Sequence, residues 1–560
     1  MRRGRSQARL TASGPVRRLR GVTPPTFREL VPSYLDLRWQ LDPVAATQAG
    51  VAGHDARLGV FAKPQVKVAL AALKAMSAAF EYGETVSLEE EIEQTAVLND
   101  LRLTIARLER EKPHELNPEF HLSHLFDGLF SLLRRTDRTV EERGRALAGR
   151  LLDTPRFLRD ARATLGRPAL VFTETAQAVA AGGQTLFGEA IPEFAARLSP
   201  IARQAVLEAL QAARPEMEEF VAFLGGELAD RSDADFAIGR ERFDFRLHFG
   251  HALRETAPQV LRYGEALIKE TECDLERRAE ALAPGVPWRA LVERLRQRHP
   301  GRGDLVAAYA GAMERSRRFV AERGLASIPD GPLDVVATPS FMQPLIPFAA
   351  YDPPGAFSEQ RTGWFYVSVP DEAQLREHSV HELALTALHE GFPGHHLQHL
   401  VAQAQPSPVR RVVWTPLTVE GWALYCEEMM GEEGFLAHPE EAFFQRLHLL
   451  WRAVRVVLDV RLHTMGMSVA EAVRYMMETL DLARDSAEAE VRRYCANPGN
   501  PLCYAVGRRE LLRLRDDWRA RAGAGYSLRR FHDEVLAYGG LPISLMRWGM
   551  GLKDDGEVMG

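Results

Sequence analysis

HEGFPGHHLQ, residues 389–398, follows the helical run ELALTAL, residues 382–388, and places a His-Glu pair six and seven residues ahead of two further histidines. Neutral imidazoles suit a borderline cation such as zinc. A glutamate beside the first of them can take a proton from water that the metal acidifies. The usual spacing for this chemistry, HExxH, sets both histidines on one face of a regular helix. Here Gly-Phe-Pro-Gly stands where two residues belong. The segment must bulge or kink to bring His395 or His396 back to His389. On an ideal helix seven residues make about two turns, which leaves His396 on the face of His389 but ~10 Å along the axis. His395 is the smaller insertion, and both stay as candidates.

Outward from this stretch, TPLTVEGWALYCEEM, residues 415–429, reads as a new helix with Thr415 as N-cap and Pro416 at the first position. Glu420 falls early in it, 24 residues beyond His396, a reach that suits a third ligand on the next antiparallel helix. Two histidines and a carboxylate leave a fourth position for water. Glu427 lies seven residues on, on the same face, either orienting a ligand from behind or standing as a solvated acid beside Glu428. Arg452, Arg455, Asp459 and His463 recur at three and four along a Val- and Leu-rich helix. That stripe either faces solvent or lines a polar cleft, with Asp459 and His463 as an orienting pair for a metal site. In RRYCANPGNPLCYAVG, residues 492–507, Asn500 and Pro501 start a helix and put Tyr504 in its first turn. Its phenol can donate to an oxyanion or simply pack as an aromatic. His114-Glu115, followed by His121, shows that a bare His-Glu match is cheap, and it reads as structural.

The rest of the chain is helical in pattern. From Phe27 to about Arg323, apolar residues recur at three and four. Amphipathic runs cover 69–80, 89–108 and 266–282. Ser199 and Pro200 open a helix whose apolar stripe is Ile201, Val206, Leu210, Met217, Phe220 and Leu224, and Pro215 should kink or split it. Residues 330–370 break the pattern with prolines and glycines. Within them GWFYVSVP, residues 363–370, predicts a short edge strand with free backbone donors and acceptors.

Composition bounds the class. The 560 residues are 46% hydrophobic and 26% charged with a net charge of −6, which suits a globular chain and argues against a nucleic-acid or anionic-membrane surface as its main business. None of the four cysteines is spaced as in zinc knuckles or redox motifs, and no run reaches the ~18 apolar residues of a membrane span. The expectation is a cytoplasmic protein. Residues 1–24 carry arginines, no acid and no apolar signal core, and read as a disordered basic tail. Residues 25–560 then form one helical unit, with an N-terminal half to residue 325 and a half carrying the metal motif from 326.

Together with YDPPGAFSEQRTGWFYVSVP (351–370), EGWALYCE (420–427), LDVRLH (458–463), EVRRYCANPGNPLCYAVG (490–507) and FHDEVLAYGGLP (531–542), the 389 motif resembles the family called domain of unknown function 885. Its members look like helical zinc metallopeptidases similar in fold to thermostable zinc carboxypeptidases, neurolysin and angiotensin-converting enzyme. The resemblance implies a mainly α, cleft-bearing gluzincin-like fold with a short edge strand or small sheet beside the active-site helix. It implies one zinc ion per chain, held by His389, one or both of His395 and His396, and Glu420, with Glu390 as general base and Tyr504 on the oxyanion. It further implies that the strand residues Trp364, Phe365, Tyr366 and Val367 pair with the backbone of a peptide substrate. Asn500 replaces the family's usual glutamine and Cys503 a small residue, and neither is a proposed ligand. The rival readings are a non-catalytic peptide-binding scaffold and a hydrolase of non-peptide amides or esters.

Overall fold

Local chemistry writes many of the helix starts. Thr26, Thr139 and Ser468 each close a capping box with a glutamate three residues on, satisfying backbone donors that the first turn leaves free. The computed structural model describes residues 24–339, 342–343, 346 and 348–552, and the expected basic tail lies outside them but for Pro24. The described chain is mainly α-helical, with one three-stranded sheet. None of its helices is long and apolar enough to cross a membrane.

In the N-terminal half, helix Val140–Thr164 packs along helix Pro200–Gly225. Leu147, Leu151 and Phe157 share a core with Val206, Leu210 and Phe220. One expectation narrows here and one changes. Pro215 does not split its helix, which runs unbroken to Gly225, because proline removes a single backbone bond while Ala213, Glu216 and Met217 around it are held in the core. Ile201 leaves the apolar stripe, since its first-turn position points to solvent and leaves it 85% exposed.

Beyond residue 250, helix Ala257–Leu282 packs on Pro439–Thr464, and Pro416–Glu432 packs on Cys503–Ala522. The largest core draws on both halves, from Phe27 and Trp39 to Trp422 and Leu545.

The sheet lies between the N-terminal helices and the 389 motif. Its strands are β1 (Leu333–Ala337), β2 (Ala349–Asp352) and β3 (Gly363–Val367), in the order β1-β3-β2. β1 runs parallel to β3 and β2 antiparallel, so that Val335 and Tyr351 both stand opposite Phe365. The expected edge strand is thus the central one. Its backbone is committed on both sides, and it has no edge for a peptide. Its side chains are committed too. Phe365 and Val367 pack with Tyr309 and Leu383, while Tyr366, with Trp364 beside it, joins the N-terminal core. The open edges belong to β1 and β2, strands of five and four residues.

Candidate metal centre

The inserted residues break the motif helix. Helix Val380–Thr386 widens into a π-turn over Ala387–Gly391, Phe392 turns extended, and a new helix starts at His395. Three contacts tie down the break. Gly394 N–H donates to the Leu388 carbonyl at 3.0 Å, Trp422 Nε1 donates to the Pro393 carbonyl at 2.9 Å, and Ser316 donates to the Phe392 carbonyl. A side chain at Gly394 would strike the carbonyl of His389, so only glycine allows so tight a return. The kink stacks His395 edge-on over His389, with ring centroids 4.9 Å apart and planes at 90°.

Glu420 arrives on helix Pro416–Glu432, which Thr415 caps from its side chain. Its Oε2 lies 3.5 Å from His395 Nε2 and 4.0 Å from His389 Nε2. One ligand atom from each of the three residues falls within 4.8 Å of the others. Zinc bonds of ~2.0–2.2 Å in a tetrahedral site put ligand atoms roughly 3.3–3.5 Å apart, so the set fits zinc with a small closure around His389. Behind it, His389 Nδ1–H donates to Glu427 Oε1 at 2.8 Å, which fixes the tautomer and turns Nε2 toward the cluster. Glu427 is 2% exposed, so it is no solvated acid.

Charge in the pocket is balanced between these groups. Burial disfavours a charged His395, but Glu420 and Glu390 together carry it up to about 9. Burial likewise opposes the Glu420 carboxylate, yet His395, His389 and Arg455 bring it down to about 2. Carboxylates thus enclose a place for positive charge, which a proton or a metal ion can occupy. Glu390, next to His389, is half-buried and makes no hydrogen bond or ion pair with the described residues.

Tyr504 is brought in by helix Cys503–Ala522, which crosses the Glu420 helix at Gly421 and Gly507. A methyl on Gly507 would strike the Leu417 carbonyl and the Gly421 Cα, so the two backbones touch. The phenol has no hydrogen-bond partner among the described residues, and burial together with the nearby Glu420 raises its pKa.

Three sequence-derived placements change. His396 turns away from the cluster, with Nδ1 3.0 Å from Tyr351 Oη and Nε2 3.2 Å from the Gly331 carbonyl, because adjacent helical residues point about 100° apart. Asp459 and His463 are buried but do not pair with each other or with a ligand. Asp459 accepts from Gly499 N–H at 3.0 Å and Leu502 N–H at 3.2 Å, and His463 Nε2 bonds the Tyr494 carbonyl at 3.0 Å. Asp459 thus holds the turn that delivers Tyr504, and His463 ties the helix before it. The strand residues 364–367 are packed in the sheet as described. Residues not singled out beforehand include Tyr351 on β2, which holds His396, and His399, one turn beyond His395 with their ring centroids 6.5 Å apart. The four-residue spacing of His395 and His399 was the available signal. At the other His-Glu match, His114 and His121 are buried in the N-terminal half, with His121 Nε2 on the His114 carbonyl at 2.9 Å.

Two solved structures share this fold. One, described as a "putative lipoprotein of unknown function" from Shewanella oneidensis, has a TM-score of 0.78 and 23% identity over 94% of this chain and 100% of that one. The other, described as a "putative lipoprotein" from Colwellia psychrerythraea, has a TM-score of 0.82 and 19% identity over 95% of this chain and 99% of that one. No curated protein matches the chain. Residues 43–550 match the family described as bacterial protein of unknown function, DUF885, and the chain belongs to that family.

Proposed function

We propose that the chain is a zinc-dependent peptidase of the gluzincin kind. The observation that carries this reading is the convergence of His389, His395 and Glu420 from two helices, with Glu427 orienting His389 from behind. A zinc ion held by those three side chains supplies Lewis acidity, polarising a carbonyl and making water a stronger acid. The remaining chemistry belongs to the chain. Glu390 takes the proton from the attacking water as the C–O bond forms, and returns it to the amine as the C–N bond breaks. Tyr504, with a free hydroxyl, donates to the oxygen on which negative charge develops. Glu427 keeps the His389 ring from rotating.

Elemental analysis tests the base of the reading. The protein is purified without added metal or chelating resin, beside His389→Ala and Glu420→Ala variants checked for folding. We expect about one zinc per chain, lost from both variants. No metal in the parent protein, even after dialysis against zinc, would overturn it. Peptide profiling follows, and cleavage of esters or non-peptide amides alone would move the substrate class.

A further inference from the structure

Guanidinium groups cluster around Tyr504, and the structure separates them by what they bind. Arg455 stands 4.8 Å and Arg452 5.9 Å from the ring centroid, and Arg493 is near enough to favour the phenolate. Arg455 donates to Tyr494 Oη at 3.0 Å and to Glu490 at 3.2 Å, and Arg493 donates to Glu490 at 2.8 Å. Arg452 has no such partner. Its Nη1 donates to the His448 carbonyl on its own helix at 3.3 Å, while Nε is buried without a partner and Nη2 has none among the described residues. Among the described residues no carboxylate lies within ion-pair distance of it, although Glu427 is close enough to feel its charge. Arg452 is half-buried, and a cation drawn even in part from water is normally paired. The unsatisfied Nε–Nη2 edge is the one that grips a carboxylate with two parallel hydrogen bonds.

Its place in the fold gives that edge a use. Helix Pro439–Thr464, which carries Arg452, packs on the helices that bring His389, Glu420 and Tyr504. Arg452 stands 5.9 Å from the Tyr504 ring centroid, and Glu420 of the cluster is near enough to raise the pKa of its phenol. We infer that Arg452 anchors a carboxylate of the substrate, so that the enzyme selects peptides presenting a free carboxyl group beside the scissile bond. This rests on the proposed peptidase activity and deepens it. The carboxylate comes either from the carboxyl terminus of the peptide, which makes the enzyme a carboxypeptidase, or from an aspartate or glutamate side chain.

Calorimetry on zinc-containing Glu390→Gln protein distinguishes these sources without turnover. Three forms of one short peptide serve as probes: the free acid, the carboxyl-terminal amide, and the amide with an internal glutamate. The expected result is that one carboxylate-bearing form binds at least about tenfold tighter than the plain amide. Adding Arg452→Gln erases that gap while zinc content stays. A gap for the free acid alone identifies the chain terminus, and a gap for the internal glutamate identifies a side chain. Arg452→Lys keeps the charge but loses the fork, so it narrows the gap and serves if the glutamine variant fails to fold. Equal binding of all three forms, or a gap unchanged in both Arg452 variants, overturns the anchor and leaves the peptidase reading standing. Loss of zinc and of all three affinities alike in Arg452→Gln also overturns it, by assigning Arg452 to the support of Glu427. Failure of every peptide to bind the parent overturns both.

Discussion

The chain twice writes a His-Glu pair followed six or seven residues on by another histidine, and the two copies end differently. At His114, Glu115 is drawn into ion pairs with Lys63 and Lys112, and His121 is spent on the His114 carbonyl. At His389, Glu390 has no ion-pair partner among the described residues, His389 is oriented by Glu427, and Glu420 arrives from a second helix. The difference lies in the neighbours that each copy recruits. A metal-type cluster needs a carboxylate from elsewhere in the fold beside its imidazoles, and among the described residues the N-terminal copy has none.

The comparison can be broken or sharpened by substitution. Glu420→Ala should have the largest effect, removing one of the three proposed ligands and leaving the purified protein without zinc by elemental analysis. Retention of full zinc would erase the distinction between the two motifs. Glu390→Gln should keep its zinc and lose at least ~100-fold in turnover, the scale of general-base removal, whereas Glu115→Gln should leave turnover within error. Equal losses in the two would mean that Glu390 acts only through stability. Glu427→Ala should weaken zinc affinity by ~10–100-fold, the usual range for the group behind a ligating histidine, as read by competition with a chelator. A loss equal to that of Glu420→Ala would make Glu427 a ligand in its own right. Gly507→Ala should cost ~1–3 kcal/mol by overpacking a helix crossing, measured by urea unfolding with the His114 region unaffected. At the small end, His396→Ala should keep full zinc content, and zinc loss there would return His396 to the ligand set.

Much of this was legible in the sequence where the governing chemistry is local. Thr415 and Pro416 mark the start of the Glu420 helix because capping depends on a few adjacent residues. The shared face of Glu420 and Glu427 follows from helical periodicity alone. The choice between His395 and His396 was not legible, since the phase of the second helix is set by the Gly394 turn and by what Trp422 and Ser316 grip. Periodicity likewise placed Asp459 and His463 on one helical stripe but could not say that it is buried or name their partners, which sit 31 to 43 residues away. The sheet was the larger miss. LDVVA and AAYD are too short to announce themselves, and strand pairing is non-local, so β3 looked like an edge when it is the middle. Arg452 was hidden by the abundance of arginines and stands out only when each one's partners are traced.

The contact at Gly421 and Gly507 has a mechanical consequence. With less than a methyl group of clearance between them, the helix bearing Glu420 and the helix bearing Tyr504 behave as a single girder, and the spacing between acid and phenol is set by backbone against backbone. Any widening of the protein to admit a polymer must be absorbed on other seams, while this ruler keeps its length.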